Sequence, residues 1–110
     1  LVEAMIEVGA AVPDLSVRLG PAICGRCYEV PADLRDEVER TLSGSAVRTA
    51  RGTPGLDLRA GLRRQLLSLR VPVVEVDSRC TYEDSELFSY RRGTPTGRLA
   101  GVVWRPAVTA

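Results

Sequence analysis

Apolar positions recur along this chain at two periods, and the switches between them mark out the elements. Val2, Met5, Ile6 and Gly9 share one helical face over residues 1–10, with Glu3 and Glu7 outside it. Gly9 and then Pro13-Asp14 punctuate its end. The chain opens on Leu1 in mid-helix with no capping residue, which predicts further chain upstream. Residues 15–19 alternate apolar and polar and read as a strand running into Gly20-Pro21. Pro31 suits the first position of a helix, where its missing N–H costs nothing. Leu34, Val38 and Leu42 follow at four-residue steps, and Ser43-Gly44-Ser45 ends that helix.

Residues 46–55 form either a short strand around Val47 or a loop closed by Thr53-Pro54-Gly55. Asp57 is placed to cap a helix whose stripe, Leu58, Leu62, Leu66 and Leu69, is expected to be core, with Arg59, Arg63 and Arg70 along another side. Residues 71–76 are a β-branched run, hence a strand, with Pro72 at its start or on an edge. Residues 82–90 read as irregular or briefly helical, residues 99–104 as a final apolar strand, and residues 105–110 as a loose tail. The order predicts an α/β fold, a mixed sheet with helices packed on it, without repeats or low-complexity stretches.

Composition narrows the function classes. A 45% apolar and 26% charged chain of 110 residues is globular and fills one small domain or part of a larger one. A net charge of +1 gives no global case for a nucleic-acid partner or an anionic membrane. No apolar run approaches the roughly 18 residues a bilayer span needs. The first residues also lack the basic start of a signal peptide, so a cytoplasmic location is expected. All 15 basic residues are Arg, and Lys, His and Asn are absent, which codon bias explains more simply than guanidinium chemistry. Without an imidazole the chain alone cannot build a Ser-His-Asp triad, a Cys-His dyad or a His-bearing metal site.

Cys24-Gly25-Arg26-Cys27 is a C-x-x-C, the spacing of a redox pair or of half a zinc site. The redox reading wants the first Cys at a helix N-terminus, yet the helix signal starts only at Pro31. A self-contained zinc site needs four ligands, where three cysteines and no histidine are on offer and Cys80 has no partner nearby in sequence. Two half-buried thiols without a role are the commoner outcome of that spacing. Arg91, Arg92 and Arg98 are the anion-binding candidates, set between Tyr90 and the turn Gly93-Thr94-Pro95-Thr96-Gly97. The bland alternative is a solvated basic turn.

Longer motifs carry a resemblance. Cys80-Thr81, Phe88-Ser89-Tyr90-Arg91-Arg92 and Thr96-Gly97-Arg98 lead into the apolar run that ends at Trp104. With the segment from Gly20 to Val30, they resemble the YfiH-type laccase-domain family. That family is also described as multicopper polyphenol oxidase, peptidoglycan editing factor and purine nucleoside phosphorylase. Its pattern Gly-Pro-x-Ile-x-x-x-Cys-Tyr/Phe-Glu-Val is matched by Gly20, Pro21, Ile23, Cys27, Tyr28, Glu29 and Val30. Leu56-Asp57-Leu58 matches a family helix, and Gly93 departs from the Asp that usually follows the paired arginines.

The resemblance implies a fold related to the catalytic domain of cytotoxic necrotizing factors, with residues 1–110 as a partial laccase-type domain lacking its N-terminal half. It implies phosphorolysis of purine nucleosides such as adenosine or inosine, with adenosine deamination, copper-dependent polyphenol oxidation and cell-wall precursor editing as further linked activities. Zinc, or copper, is the implied cofactor. In the family the cysteine before the aromatic residue binds zinc together with two histidines, so Cys27 inherits the metal role and a place in catalysis. Neither histidine has a counterpart here, and metal binding by this chain alone is not expected. Cys24 occupies a position often held by Gly and is expected to be incidental, with Cys80-Thr81 packing beneath the site. Arg91, Arg92 and Arg98 would hold nucleoside and phosphate, Arg91 acting in catalysis. The competing expectation is a metal-free scaffold, or a peptidoglycan-editing accessory, on the same fold. A thiol-redox protein using Cys24 and Cys27 is a third.

Overall fold

A computed structural model describes residues 1–104. Helix α1 (Val2–Glu7) and a 3-10 turn (Val12–Asp14) lead into strand β1 (Ser16–Leu19). Helix α2 (Ala32–Thr41), a hairpin of β2 (Ala46–Arg48) and β3 (Pro54–Leu56), helix α3 (Leu58–Ser68) and β4 (Val73–Val76) follow. The expected mixed α/β architecture is present, as two small sheets. β1 and β4 pair in parallel, Ser16 opposite Val73 through Leu19 opposite Val76. β2 and β3 pair antiparallel, Val47 opposite Gly55, which resolves the alternatives at residues 46–55 in favour of a strand.

Residues 20–30 tie the two sheets together without belonging to either. Ala22 bridges Cys80 in the parallel sense, extending the β1–β4 ladder, and the Thr81 amide donates to Ala22 O at 3.1 Å. At the other end Glu29 bridges Gly55, and Val30 N donates to Pro54 O at 3.1 Å. The chain between them approaches β3 so closely that a Cβ on Gly55 would stand 2.9 Å from Tyr28 O and 2.7 Å from Thr49 Cγ2. Only glycine allows that backbone-to-backbone contact.

Helix ends follow local chemistry. Asp57 caps α3 as its position predicts, accepting from the Ala60 amide at 3.1 Å. α3 closes with Arg70 in the left-handed region at φ 65°, its amide and that of Val71 donating back to Leu67 O and Leu66 O. At the end of α2, the Glu39 carboxylate accepts from the amides of Gly44 (3.0 Å) and Ala46 (2.9 Å). Gly44 takes φ 93° to present its N–H there. These amide donors hold the Glu39 carboxyl below its ordinary value.

The core is small. Leu15, Val30, Leu56, Val71 and Cys80 are its buried apolar side chains. The leucine stripe of α3, expected to be core, is only partly covered: Leu58 and Leu66 are half-buried, Leu62 is 37% and Leu69 47% exposed, and Gly61 is the buried residue of the helix. No residue of α1 or α2 is buried. Residues 99–104, expected as a strand, form none, because among the described residues no strand offers their backbone a ladder, and Val102 is 81% exposed. The expected loose tail, residues 105–110, lies outside the described residues. The radius of gyration is 16.0 Å, against about 13 Å for a compact chain of near this length.

Two stability measurements check this account. Gly55→Ala should lower the unfolding free energy by roughly 1–3 kcal/mol in urea denaturation, since backbone must move to admit the methyl. Glu39→Gln should lower the thermal midpoint at neutral pH. The lowered carboxyl value of Glu39 stabilises the fold fully above its ordinary value of 4.5 and is lost as pH falls through the folded value. The two proteins should therefore converge in acid, and a gap that persists unchanged there would contradict the assignment.

Candidate functional site

Two groups of side chains meet around residues 22–28. The first is a thiol cluster. Gly25 to Cys27 form a tight turn in which the Cys27 and Tyr28 amides both donate to Cys24 O at 3.0 Å. Residues 80–84 make a second turn, with the Asp84 amide donating to Cys80 O at 2.9 Å. The Ala22–Cys80 bridge sets the turns face to face. The Sγ atoms of Cys24, Cys27 and Cys80 and a Glu83 carboxylate oxygen then all lie within 4.8 Å of one another. Cys27 Sγ donates to Glu83 Oε1 at 3.0 Å, with Cys24 Sγ at 3.6 Å from the same oxygen. The Cys24 amide donates to Cys80 Sγ at 3.3 Å. All three are free thiols.

The acid–base properties of the cluster follow from those contacts. The hydrogen bond to Glu83 raises the Cys27 thiol well above its usual range, with burial and neighbouring Cys24 adding to the effect. Burial pushes Cys80 upward, but amide donors from Cys24, Glu83 and Tyr82 outweigh it and leave the thiol lowered. The thiol donors hold the Glu83 carboxyl low. A raised Cys27, set in a loop ahead of α2, opposes the redox reading, which needs an accessible thiolate.

Cys24, expected to be incidental, stands in this cluster, and Cys80, without a cysteine partner nearby in sequence, meets two of them across the fold. Cys80 is buried, yet it faces two other thiols across a strand pairing invisible in the linear order. Glu83 was missed. Its signal was the spacing, since Cys80-x-x-Glu83 repeats the three-residue step of Cys24-x-x-Cys27.

The second group is a groove beside the cluster, floored by Ala22, Ile23 and Tyr28 and walled by Ser89, Arg91 and Arg98. The Arg91 guanidinium lies 5.0 Å from the centre of the Tyr28 ring, and that of Arg98 lies 5.6 Å from the Tyr90 ring. Neither makes an ion pair among the described residues. Arg92, grouped with them from sequence, faces elsewhere. Its Nη1 donates to Thr81 O (2.7 Å) and Asp84 O (3.0 Å), and its Nη2 to Leu87 O (2.5 Å). It pins the 81–89 loop, on which Glu83 rides, rather than opening onto the groove. Thr81 lines the groove too, so the Cys80-Thr81 pair faces both sites at once.

A small α/β chain with clustered thiols and an arginine-walled groove is the class that fold and site define. Its residues 1–106 match the model of the multi-copper polyphenol oxidoreductase laccase family, and the chain belongs to that family. It is 57% identical over 102 residues to a purine nucleoside phosphorylase of Mycobacterium tuberculosis, covering 93% of this chain and 41% of that protein. A Corynebacterium glutamicum protein of the same name is 53% identical, over 93% of this chain and 42% of its own. One from Deinococcus radiodurans is 34% identical, over 96% and 42%. The chain thus spans about two fifths of the length of these curated relatives.

The metal centre implied by the resemblance does not fit the residues present. Cys27 can serve, but the chain has no histidine to stand beside it. Imidazole-rich copper geometry fails for the same reason. What stands around Cys27 is sulfur and carboxylate.

Arg92→Ala should loosen the 81–89 loop and cost roughly 1–3 kcal/mol, because the loop carbonyls lose a charged donor. Hydrogen exchange of the amides at 81–89 should accelerate in that variant, and unchanged exchange would contradict the pinning role.

Proposed function

We propose that the whole protein is a purine nucleoside phosphorylase and that this chain supplies its phosphate-holding groove. The reaction forms a bond from a phosphate oxygen to the anomeric carbon while the N-glycosidic bond breaks. The purine leaves with the bonding electrons and takes up a proton, and ribose 1-phosphate remains. The observation that carries the reading is the pair Arg91 and Arg98, two guanidiniums on aromatic faces in one groove without acidic partners among the described residues. The aromatic faces hold the two guanidiniums at the groove, and a phosphate there gains charge neutralisation and positioning, which such transfers require. The names of relatives 46–57% identical to this chain support the same chemistry.

The open leucine and valine faces of α3 and β4 support a further part of the proposal. The portion these relatives carry beyond the matched two fifths covers those faces and completes the nucleoside site. No helix among the described residues is long and apolar enough to cross a membrane. A cytoplasmic location, with soluble nucleoside and phosphate as partners, belongs to this reading. The absence of histidine from the chain favours one rival, a metal-free scaffold or peptidoglycan-editing accessory on the same fold.

The test uses protein of the relatives' full length, incubated with adenosine or inosine with and without phosphate. Release of adenine or hypoxanthine, followed by chromatography, should require phosphate. Arg91→Ala and Arg98→Ala should each raise KM for phosphate by roughly 10- to 100-fold, the loss of one charged hydrogen bond. Absence of phosphate-dependent release would leave the scaffold reading in possession.

A further inference from the structure

We propose that Cys24, Cys27, Cys80 and Glu83 form a closed four-ligand site for a thiophilic divalent cation, zinc foremost, assembled wholly within this chain. The proposal is independent of the phosphorolysis reading. It concerns a ligand set different from the one that resemblance assigns to Cys27, and it removes the need for histidine.

The geometry carries it. Zinc with sulfur ligands at about 2.3 Å in a tetrahedron sets its sulfurs about 3.8 Å apart, with a carboxylate oxygen about 3.6 Å from each. The four ligand atoms here already lie within 4.8 Å of one another, and the Glu83 oxygen stands 3.0 and 3.6 Å from two of the sulfurs. A small adjustment completes the shell, the wider pairs drawing in and the Cys27–Glu83 pair easing apart. The ligands also arrive as structural zinc ligands do, in two short turns that each present a first and a fourth residue. Strand pairing at Ala22 and Cys80 fixes the turns opposite each other before any ion binds.

Outer contacts are those a thiolate site requires. The Cys24 amide is already aimed at Cys80 Sγ at 3.3 Å, and N–H donors of that kind stabilise bound thiolates. Cys80 is buried and Cys24 and Cys27 are half-buried, which restricts water around the sulfurs. Three thiolates and one carboxylate favour zinc over magnesium or calcium, which take oxygen shells. Four protein ligands leave no open position, so the site is structural: it clamps the 24–27 turn to the 80–83 turn beneath the groove.

Cobalt(II) and zinc titrations of the reduced 110-residue chain test the proposal without any turnover. One equivalent of cobalt should bind, with intense thiolate charge-transfer bands and the visible d–d bands of a tetrahedral site, and zinc should displace it. X-ray absorption of the zinc form should find three sulfurs at about 2.3 Å and one oxygen at about 2.0–2.2 Å. Cys24→Ser, Cys27→Ser and Cys80→Ser should each remove about a third of the charge-transfer intensity. Each should also weaken zinc binding by at least roughly tenfold, as expected when one of four ligands is lost. Glu83→Gln should keep the sulfur bands and alter the d–d region. Failure to bind in the parent chain would overturn the proposal, as would binding that Cys80→Ser and Glu83→Gln leave unchanged, the mark of an isolated C-x-x-C pair. Alkylation of Cys80 at equal rates with and without zinc would overturn it as well, and that readout holds in any variant that folds poorly.

Discussion

The backbone pairing of residues 20–30 is the constraint from which the rest of the architecture follows. Ala22 is bonded into the β1–β4 ladder and Glu29 into the β2–β3 hairpin, so this one irregular segment fixes how two small sheets stand to each other. Gly55 is the permissive residue at one end, where Tyr28 O comes too close for a side chain. At the other end the Ala22–Cys80 bridge aligns the turns that carry Cys24, Cys27, Cys80 and Glu83.

The elements with a local cause were legible in sequence. Asp57 before a leucine-rich run produces a capped helix because the side-chain oxygen satisfies an amide three residues on, whatever the fold around it. The alternation at residues 15–19 and the β-branched run at 71–76 became a parallel pair for the same kind of reason. Periodicity was less faithful about burial. The stripe Leu58, Leu62, Leu66 and Leu69 has the spacing of a core face, but spacing records which side is apolar, not what covers it. Residues 99–104 failed as a strand for a related reason: an apolar β-prone run needs a neighbour to bond, and none is at hand among the described residues.

The chemistry divided along the same line. Motif spacing pointed to Cys27 and to the arginines, because their recognition rests on consecutive residues. Spacing could not distinguish Arg91 and Arg98, which wall the groove, from Arg92, which turns back onto the carbonyls of Thr81, Asp84 and Leu87. Adjacent arginines in an irregular segment point in opposite directions, and only the path of the loop decides which of them faces inward. Cys80 and Glu83 stayed hidden for the simplest reason. They lie more than fifty residues from Cys24 and Cys27 and meet them through a strand crossover.

The thiol cluster and the arginine groove share their scaffold. Ala22, Ile23 and Tyr28 floor the groove, and the turn between Ile23 and Tyr28 is the one that presents Cys24 and Cys27. Thr81 and Arg92 link the opposite turn to the groove wall in the same way. Whatever locks the two turns together therefore also sets the distance between the Tyr28 ring and the loop that bears Arg91. A sulfur-rich centre at the cluster would lock them in this way. The opposite turn brings Cys80 and Glu83 within reach of Cys24 and Cys27, so sulfur and carboxylate donors face each other where the two turns meet. The groove is fixed in its chemistry too: the guanidiniums of Arg91 and Arg98 lie over the Tyr28 and Tyr90 rings, and the chain has no lysine or histidine to take their place.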